Sequence, residues 1–325
     1  MKKINTPSSL RVVILCAVTA QTIGYSSLAL ASCGASFCLV NTDWVVQGAW
    51  LDRGNRLDLR YEQVRQDQLM SGSRKLAANE VDLRNREVET TSHRWLLNVD
   101  HGINEHWGIS ASIPFIDRSH LHTEAGAPVT WNFRQIGDAR LSARYQSALQ
   151  DTATGGGTVF GANAGLKLAT GKTDIANDTG TRAERSLQPG TGTTDLVASV
   201  YYRRVLADLA TSWFVQANLE APLNEKDGYK PGKKFGLDLG IRTEWSRNFS
   251  PMLQLNFQSR ERDSGFNAEP ENSGGDSLSI SPGLSYKLAG QAHIYGFVQI
   301  PLHQRVNGEQ LSPKWAATIG IQSTF

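Results

Sequence analysis

The feature that most constrains the fold is an alternation of apolar and polar residues that recurs along the chain. The final segment, residues 314–325, reads KWAATIGIQSTF. Every second residue from Trp315 to Phe325 is apolar apart from Ser323, and the residues between them are small or polar. A period of two places successive side chains on opposite faces of a β-strand. The segment is therefore predicted to be a strand with one apolar face and an aromatic residue at each end.

Comparable segments continue from residue 56 to the end of the chain. In the clearest of them, residues 234–245, Leu237, Leu239 and Ile241 alternate with glycine and charged residues. Each segment has about the ten residues that a tilted strand needs to cross a membrane. No helical periodicity competes with this pattern, which argues against βαβ units. The predicted strands are residues 56–66, 92–103, 107–118, 137–148, 158–170, 194–205, 213–221, 234–245, 253–260, 278–288, 293–302 and 314–325.

The connections between these segments alternate between long and short. The long connections are residues 67–91, 120–135, 172–193, 224–233, 263–276 and 303–313. The short connections are residues 104–105, 150–157, 207–211, 247–248 and 289–290. A soluble β-sandwich, the alternative for a single half-buried strand, has no reason to alternate in this way. The pattern predicts an all-β fold, a single antiparallel transmembrane β-barrel of about 12 strands with long outer loops and short periplasmic turns.

The N-terminus differs from the rest of the chain. Lys2, Lys3 and Arg11 precede an apolar run, and Ala29-Leu30-Ala31 forms a cleavage site of small residues. This arrangement is typical of a secretory signal peptide. We therefore predict three regions: a signal peptide at residues 1–31, a periplasmic or lumen-entering segment at 32–53, and the transmembrane β-barrel at 54–325.

Two cysteines remain after removal of the signal peptide. Cys33 and Cys38 lie in the segment CGASFC. In an exported chain, cysteines this close predict a small disulfide loop. However, Leu30-Ala31-Ser32-Cys33 also resembles a lipoprotein cleavage site, in which case Cys33 would carry lipid. We do not expect a metal site here, because no histidine or third cysteine lies close by in the sequence.

Composition and motifs exclude several functional classes. Hydrophobic residues make up 40% of the chain, which is too few for a bundle of apolar helices, and the net charge of +2 is spread along the sequence, so no nucleic-acid partner is expected. Ser92-His93 and Ser119-His120 are sequence neighbours on strands, so their side chains point to opposite faces and cannot form a nucleophile–base pair. His122 could share a face with His120, but two histidines alone rarely hold a metal. We expect neither an enzyme nor a bound cofactor.

The polar face carries charges of both signs. Charged side chains are very costly in an apolar protein core but ordinary in a water-filled barrel lumen. The residues predicted to line the lumen and a possible solute path are Asp58, Arg60, Asp138, Arg140, Arg144, Lys167, Asp238, Arg242, Glu244 and Arg260. Because both signs occur, no simple selectivity ring is indicated. In the structural alternative, these charges pair across a narrow interior and act only as scaffold.

Four stretches carry a resemblance to a known family. They are Gly137-Asp138 with Arg140, the GLKLATG segment at 165–171, the LQPGTGTTD segment at 187–195, and PLHQRVNG at 301–308. In their order and spacing they resemble a family of bacterial outer-membrane proteins named for the meta-cleavage pathway of phenol degradation, whose members are often labelled transporters. Ala169 stands where family members often have proline, and CGASFC is not general to the family, which indicates a subgroup. The resemblance implies a transport-type barrel and a link to aromatic compounds.

These observations give one functional expectation and two alternatives. We expect a porin-like channel or transporter in the outer membrane of a Gram-negative bacterium, for small solutes that include aromatic or hydrophobic compounds as one candidate class. Its partners would be outer-membrane lipid, the solute, and the barrel-assembly machinery, since the terminal Phe325 resembles the C-terminal signature of such barrels. The first alternative is a non-transporting structural or binding barrel that acts through its outer loops. The second, less favoured, is an outer-membrane enzyme.

Overall fold

The computed structural model describes residues 54–150, 156–288 and 290–325. The predicted signal peptide, the segment at 32–53, and Cys33 and Cys38 lie outside these residues. The described residues contain three 3-10 turns, at Ala78–Glu80, Ala207–Leu209 and Pro270–Asn272. The strands are β1 Gly54–Gly72, β2 Arg74–Lys75, β3 Arg86–Gly102, β4 Trp107–Glu124, β5 Ala127–Ile136, β6 Arg140–Gln150, β7 Gly157–Lys167, β8 Asp195–Leu206, β9 Thr211–Pro222, β10 Lys234–Thr243, β11 Phe249–Arg260, β12 Gly275–Lys287 and β13 His293–Thr324.

The strands form a closed antiparallel barrel. Apart from the two strands outside the wall, each strand pairs with its neighbours in chain order, and β13 also pairs with β1, with Leu59 opposite Ile321. Eleven of the thirteen strand elements form the barrel, while β2 and β5 lie outside the closed path. Within the described wall, closure leaves no unpaired sheet edge, which in hydrocarbon would cost several kcal/mol for each exposed backbone group.

The last element is a hairpin rather than one straight strand. Residues 293–306 pair with β12, and residues 306–324 pair with β1, both antiparallel. The two arms also touch each other, because Gln304 donates a hydrogen bond to the Pro313 carbonyl at 3.1 Å. Gly308, with φ of 61°, lies at the turn. When the two arms of β13 are counted separately, the wall consists of twelve strands, and the prediction of about 12 strands is confirmed.

The two faces of the wall are separated as the alternation predicted. Leu239 and Ile241 are each 45% exposed on the outer surface, whereas Asp238, the residue before Leu239, is 8% exposed in the interior. Aromatic residues meet on the outer surface, as in the pairs Tyr61–Trp95 and Trp107–Tyr145, whose ring centroids lie 4.8 and 5.0 Å apart. An apolar exterior with aromatic groups around a charged interior is the arrangement of a membrane barrel. No helix among the described residues is long and apolar enough to cross a membrane.

Several strands extend further than the sequence predicted. Residues 120–135 were expected to form a loop, but β4 continues to Glu124 and pairs with β5 through a two-residue turn. Both turn residues have positive φ, 50° at Ala125 and 86° at Gly126, as tight hairpin turns require. The arms of β13 likewise cover most of 303–313. Residues 117–124 of β4 and 303–310 of β13 carry few apolar side chains, so the apolar pattern does not show where their pairing ends. In β5, Val129, Trp131 and Phe133 do alternate with polar residues, and the prediction overlooked this pattern.

Aromatic rings inside the barrel lie against inward-facing glycines of adjacent strands. A side chain on any of these glycines would collide with the ring beside it. Because the rings lie along the wall, they take up little of the lumen and shield backbone that the glycines leave bare. The pairs are Gly161 with Tyr201, Gly240 with Phe214, Gly283 with Phe297, and Gly320 with Tyr295.

Candidate functional site in the barrel interior

A cavity of about 470 Å³ occupies the barrel interior. Strands from β1 around to β11 contribute to its lining, which is dominated by charged, amide and hydroxyl side chains. Among the described residues, six cationic and four anionic side chains line it. These are Arg56, Asp58, Arg60, Arg94, Asp100, Arg140, Arg144, Glu220, Lys234 and Asp238.

Two arginines of the lining hold a carboxylate beside it, Glu62. Arg60 Nε lies 2.9 Å from Glu62 Oε1, and Arg94 Nε donates a hydrogen bond to Glu62 Oε2. Glu62 and Arg94 face each other across β1 and β3, since the register places them directly opposite. An ion pair at one oxygen and a charged hydrogen bond at the other compensate the carboxylate in an interior where an unpaired charge would be costly.

A second carboxylate is shared in the same way by strands that are distant in sequence. Arg140 on β6 donates from Nη2 to Glu220 Oε2 on β9, eighty residues further along the chain. Lys234 on β10 donates to Glu220 Oε1 at 2.9 Å. Glu220 therefore joins two cations, and Arg140 reaches past β7 and β8 to make its contact.

A third carboxylate, Asp100, lies nearer the periplasmic end of the barrel, close to the end of β3. Arg56 Nε and Nη2 both donate to Asp100 Oδ2, at 3.0 and 2.8 Å. Arg144 Nη1 lies 3.7 Å from Asp100 Oδ1. Each of these three carboxylates thus has two cationic neighbours.

Neutral donors hold the other two carboxylates of the lining. Asp58 accepts hydrogen bonds from Tyr295 Oη at 2.8 Å and Asn98 Nδ2 at 3.0 Å. Asp238 accepts from the amides of Asn218 at 2.9 Å and Asn256 at 2.7 Å. The carboxylates of the interior are therefore stabilised by neutral hydrogen-bond donors as well as by cations.

The ten residues predicted from the sequence to line a solute path fall into three places. Asp58, Arg60, Arg140, Arg144 and Asp238 line the cavity. Asp138 and Lys167 lie in a separate buried cluster at the outer end, and Arg260 pairs with Asp263 near the same end. Arg242 and Glu244 lie at the periplasmic end of β10 and beyond it, where Arg242 donates to Ser250 at 3.3 Å.

The buried cluster at the outer end joins three of the sequence stretches that carry the family resemblance. Asp138 Oδ1 accepts from the Gly171 amide at 3.0 Å, and Oδ2 accepts from the Thr191 amide at 2.9 Å. Lys167 Nζ lies 3.3 Å from Asp138 and 2.7 Å from Asp195. The cluster fixes both ends of the long loop at 168–194, which we call the anchored loop.

The anchored loop packs against the β4–β5 hairpin outside the barrel wall. Trp131, Ala183 and Leu187 form a buried apolar cluster, and Arg118 donates to the Leu187 carbonyl at 2.7 Å. The rings of His120 and His122 pack beside Trp131, with centroids 5.7 and 4.7 Å from it. Within the described residues, no group of three or more His, Cys, Asp or Glu side chains could hold a metal.

A tyrosine in a neighbouring outer loop is also buried. Tyr229 Oη donates to Asp263 Oδ2 at 2.9 Å, and the Arg185 guanidinium lies over its ring, 5.0 Å from the centroid. Burial, with the nearby Asp263 charge as a smaller cause, raises the pKa of Tyr229 above its ordinary value. The tyrosine is thus held in its neutral form, and it joins the anchored loop to the loops that follow β9 and β11.

We call the Glu62 and Glu220 clusters the two upper clusters, since they lie nearer the outer end than the Asp100 cluster. Four of their residues were absent from the predicted solute path: Glu62, Arg94, Glu220 and Lys234. Glu62, Arg94 and Glu220 lie on the polar face of the alternating pattern, and Lys234 has the same parity as Asp238 at the start of its strand. The alternation therefore identifies them as inward-facing. It carries no information on which strands bring their charges together.

The fold and the interior define a closed antiparallel β-barrel with an apolar outer surface and a charged cavity. The structure resembles an outer membrane channel from Pseudomonas putida F1, with a TM-score of 0.66 at 12% identity over 89% of this chain and all of that one. It is less similar to the translocator domain of the autotransporter NalP from Neisseria meningitidis, with a TM-score of 0.45, 8% identity and coverage of 87% and 93%. The monoaromatic hydrocarbon channel CymD gives a TM-score of 0.39 at 10% identity, over 85% of this chain and 89% of that one.

The likeness to the Pseudomonas putida protein shows a shared fold. No protein-family model matches the chain. No curated protein matches it by sequence.

Proposed function

We propose that this protein is an outer-membrane channel that passes small solutes through the barrel lumen. The observation that carries the proposal is the cavity of about 470 Å³, lined by charged and amide groups, inside a closed barrel whose outer surface is apolar. A polar cavity enclosed by a wall suited to hydrocarbon is the arrangement of a passage for water-soluble molecules. The protein of shared fold from Pseudomonas putida is itself described as an outer membrane channel.

The proposal includes the location of the protein and its partners. The predicted signal peptide would export the chain, and outer-membrane lipid would cover residues such as Leu239 and Ile241. The barrel-assembly machinery would recognise the terminal strand arm, whose Phe325 carbonyl accepts a hydrogen bond from the Asn55 amide at 2.8 Å. The family resemblance supports aromatic or hydrophobic compounds as one class of solute.

The channel proposal is tested with a pair of substitutions on one strand. Ser142 on β6 lines the cavity, and the next residue, Ala143, faces outward. Ser142→Trp should fill part of the lumen and reduce single-channel conductance in planar bilayers several-fold. Ala143→Trp places the same ring in lipid and should leave the conductance unchanged.

Liposome swelling with neutral sugars gives a second readout of the same pair. Both variants and the parent protein are first checked for heat-modifiable migration on gels, which reports a folded barrel. A folded parent protein that neither conducts nor swells liposomes would overturn the channel proposal. Equal conductance of the Ser142→Trp variant and the parent would show that this cavity is not the path.

One observation favours the alternative of a binding barrel that acts through its outer loops. Three outer loops enclose a second cavity of about 200 Å³, whose lining includes Arg182, Asp227 and Glu269. A folded protein without flux that captures a ligand at these loops would support this function. Substitution of Arg182, an exposed residue in the anchored loop, would then abolish capture while the variant keeps the heat-modifiable migration of a folded barrel.

A further inference from the structure

The cavity presents its charges unequally to the lumen. The three most exposed charged side chains of the two upper clusters are cations: Arg140 at 47%, Arg94 at 29% and Lys234 at 24%. The carboxylates they hold are covered, Glu220 at 12% and Glu62 at 3%. A solute in the lumen therefore meets guanidinium and ammonium groups before it meets a carboxylate.

The two upper clusters adjoin each other. Arg94 and Arg140 line the same cavity, where the like charges of their guanidinium groups act on each other unfavourably. Together the clusters contain four cations, Arg60, Arg94, Arg140 and Lys234, around two carboxylates. The excess of two positive charges lies beside the cavity, and low-dielectric barrel walls focus such a field into the lumen.

The third cluster differs from these two. Its carboxylate, Asp100, is 13% exposed, while Arg56 and Arg144 are 3% and 4% exposed. Asp58 and Asp238 are buried, at 3% and 8%. The positive surface is therefore confined to the part of the cavity that Arg94, Arg140 and Lys234 line.

The carboxylate of a bound solute at this place would compensate the excess positive charge and match the donor geometry of the guanidinium groups. Guanidinium groups present parallel N–H donors that match the two oxygens of a carboxylate. An anion between Arg94 and Arg140 would also relieve the unfavourable interaction of the two guanidinium charges. The cavity volume is within the range of small-molecule sites.

We propose that the lumen binds small organic carboxylates between Arg94 and Arg140, and that these are the solutes the channel prefers. The preference in transport rests on the proposed channel function, whereas binding in the lumen does not. A neutral molecule of the same shape gains nothing from the two guanidinium groups. A small cation is repelled by them.

Binding is tested by calorimetry on the full-length folded protein in detergent, with benzoate as the probe and benzamide as its neutral counterpart. Saturable binding of benzoate but not benzamide is expected. Arg140→Gln and Arg94→Gln should each weaken benzoate binding about tenfold, since each removes a charge-assisted hydrogen bond. Glu220→Gln should strengthen binding about threefold, because it removes the negative charge that contacts Arg140.

Arg134→Gln serves as the matched control. Arg134 forms a similar ion pair, with Asp117 at 2.8 Å, but lies on β5, outside the closed barrel, and is 75% exposed. It should leave benzoate binding unchanged. If benzamide binds as well as benzoate, or if Arg140→Gln and Arg134→Gln behave alike in folded protein, the proposal is wrong.

Transport measurements distinguish the carboxylate proposal from the proposed channel function. In planar bilayers under a salt gradient, the parent protein should prefer the anion, and Arg140→Gln should reduce that preference while Glu220→Gln increases it. Conductance that favours cations, or does not respond to these variants, overturns the carboxylate proposal and leaves the channel function intact. Specific benzoate binding without any conductance overturns the channel function and leaves the binding site intact.

Discussion

Gly161 and Tyr201 lie directly opposite each other on β7 and β8, and the tyrosine ring fills the space where a side chain at position 161 would begin. Tyr201 is 5% exposed, and its hydroxyl donates to Gln146 on β6 at 3.1 Å. The ring therefore crosses the bare backbone of β7 and ties three neighbouring strands together. In the described interior, Phe214, Phe297 and Tyr295 pack against glycines of adjacent strands in the same way.

The first prediction concerns this glycine–tyrosine pair. Gly161→Ala should destabilise the barrel by about 1–3 kcal/mol, because a methyl group there overpacks a filled site and displaces the Tyr201 ring. Gly236→Ala is the control, since a side chain on this inward-facing glycine would meet its nearest atoms at 3.6 Å, an ordinary contact distance. Urea unfolding in detergent, followed by tryptophan fluorescence, measures the difference. Equal midpoints for the two variants would contradict the packing role.

A second prediction concerns the anchored loop. Asp138→Asn removes the charge that accepts the Gly171 and Thr191 amides, so residues 168–194 should open more often. Hydrogen bonds to a charged group contribute about 1.5–3 kcal/mol, so cleavage by externally added trypsin at Lys172 or Arg182 should become about tenfold faster. Mass spectrometry of the fragments locates the cuts.

Asp178→Asn is the control for this experiment, because Asp178 is an exposed residue of the same loop. Its cleavage rate should match that of the parent protein. If Asp138→Asn is cleaved no faster than Asp178→Asn, the buried cluster does not hold the loop.

A third prediction follows from the raised pKa of Tyr229. Because the protonated form is favoured in the folded loops, the stabilisation is complete below the ordinary tyrosine pKa of about 10 and is lost as pH rises through the folded-state pKa. Alkaline titration of tyrosine absorbance should show one group that ionises late, together with loosening of the outer loops. In Tyr229→Phe this late step should be absent. Its persistence in the variant would assign it to another tyrosine.

The fourth prediction tests the contact of the wall with lipid. Leu239, in the middle of β10, is 45% exposed on the outer surface, and Leu239→Arg should destabilise the folded barrel in bilayers by about 2–4 kcal/mol. Thr130→Arg places the same charge on an exposed position of β5, in the hairpin extension beyond the barrel wall, and should have little effect. Folding titrations in lipid vesicles compare the two variants. A tolerated arginine at position 239 would mean that this face does not contact hydrocarbon.

Much of the wall could be predicted from the sequence because alternation is a local property. Lys234–Thr243 is observed almost where residues 234–245 were predicted, and the outward position of Leu239 and Ile241 follows from parity alone. The β5 strand was missed although Val129, Trp131 and Phe133 alternate with polar residues in it, and although Trp131 and Phe133 are buried. Its partner segment, residues 117–124 of β4, is largely polar, so the alternation gave no sign of a hairpin there.

By itself, the sequence determined which side chains face the lumen and which face outward, because a strand has a fixed period of two and hydrocarbon tolerates few charges. Only the tertiary structure decided which of the inward charges meet. The contact of Arg140 with Glu220 depends on how four strands align around the barrel, and the burial of Asp138 and Lys167 depends on how the anchored loop folds back. The structure also decided that Arg94 and Arg140 are exposed to the lumen while the carboxylates they contact are covered. The sequence could not show this difference, because its numbers of positive and negative residues are nearly equal.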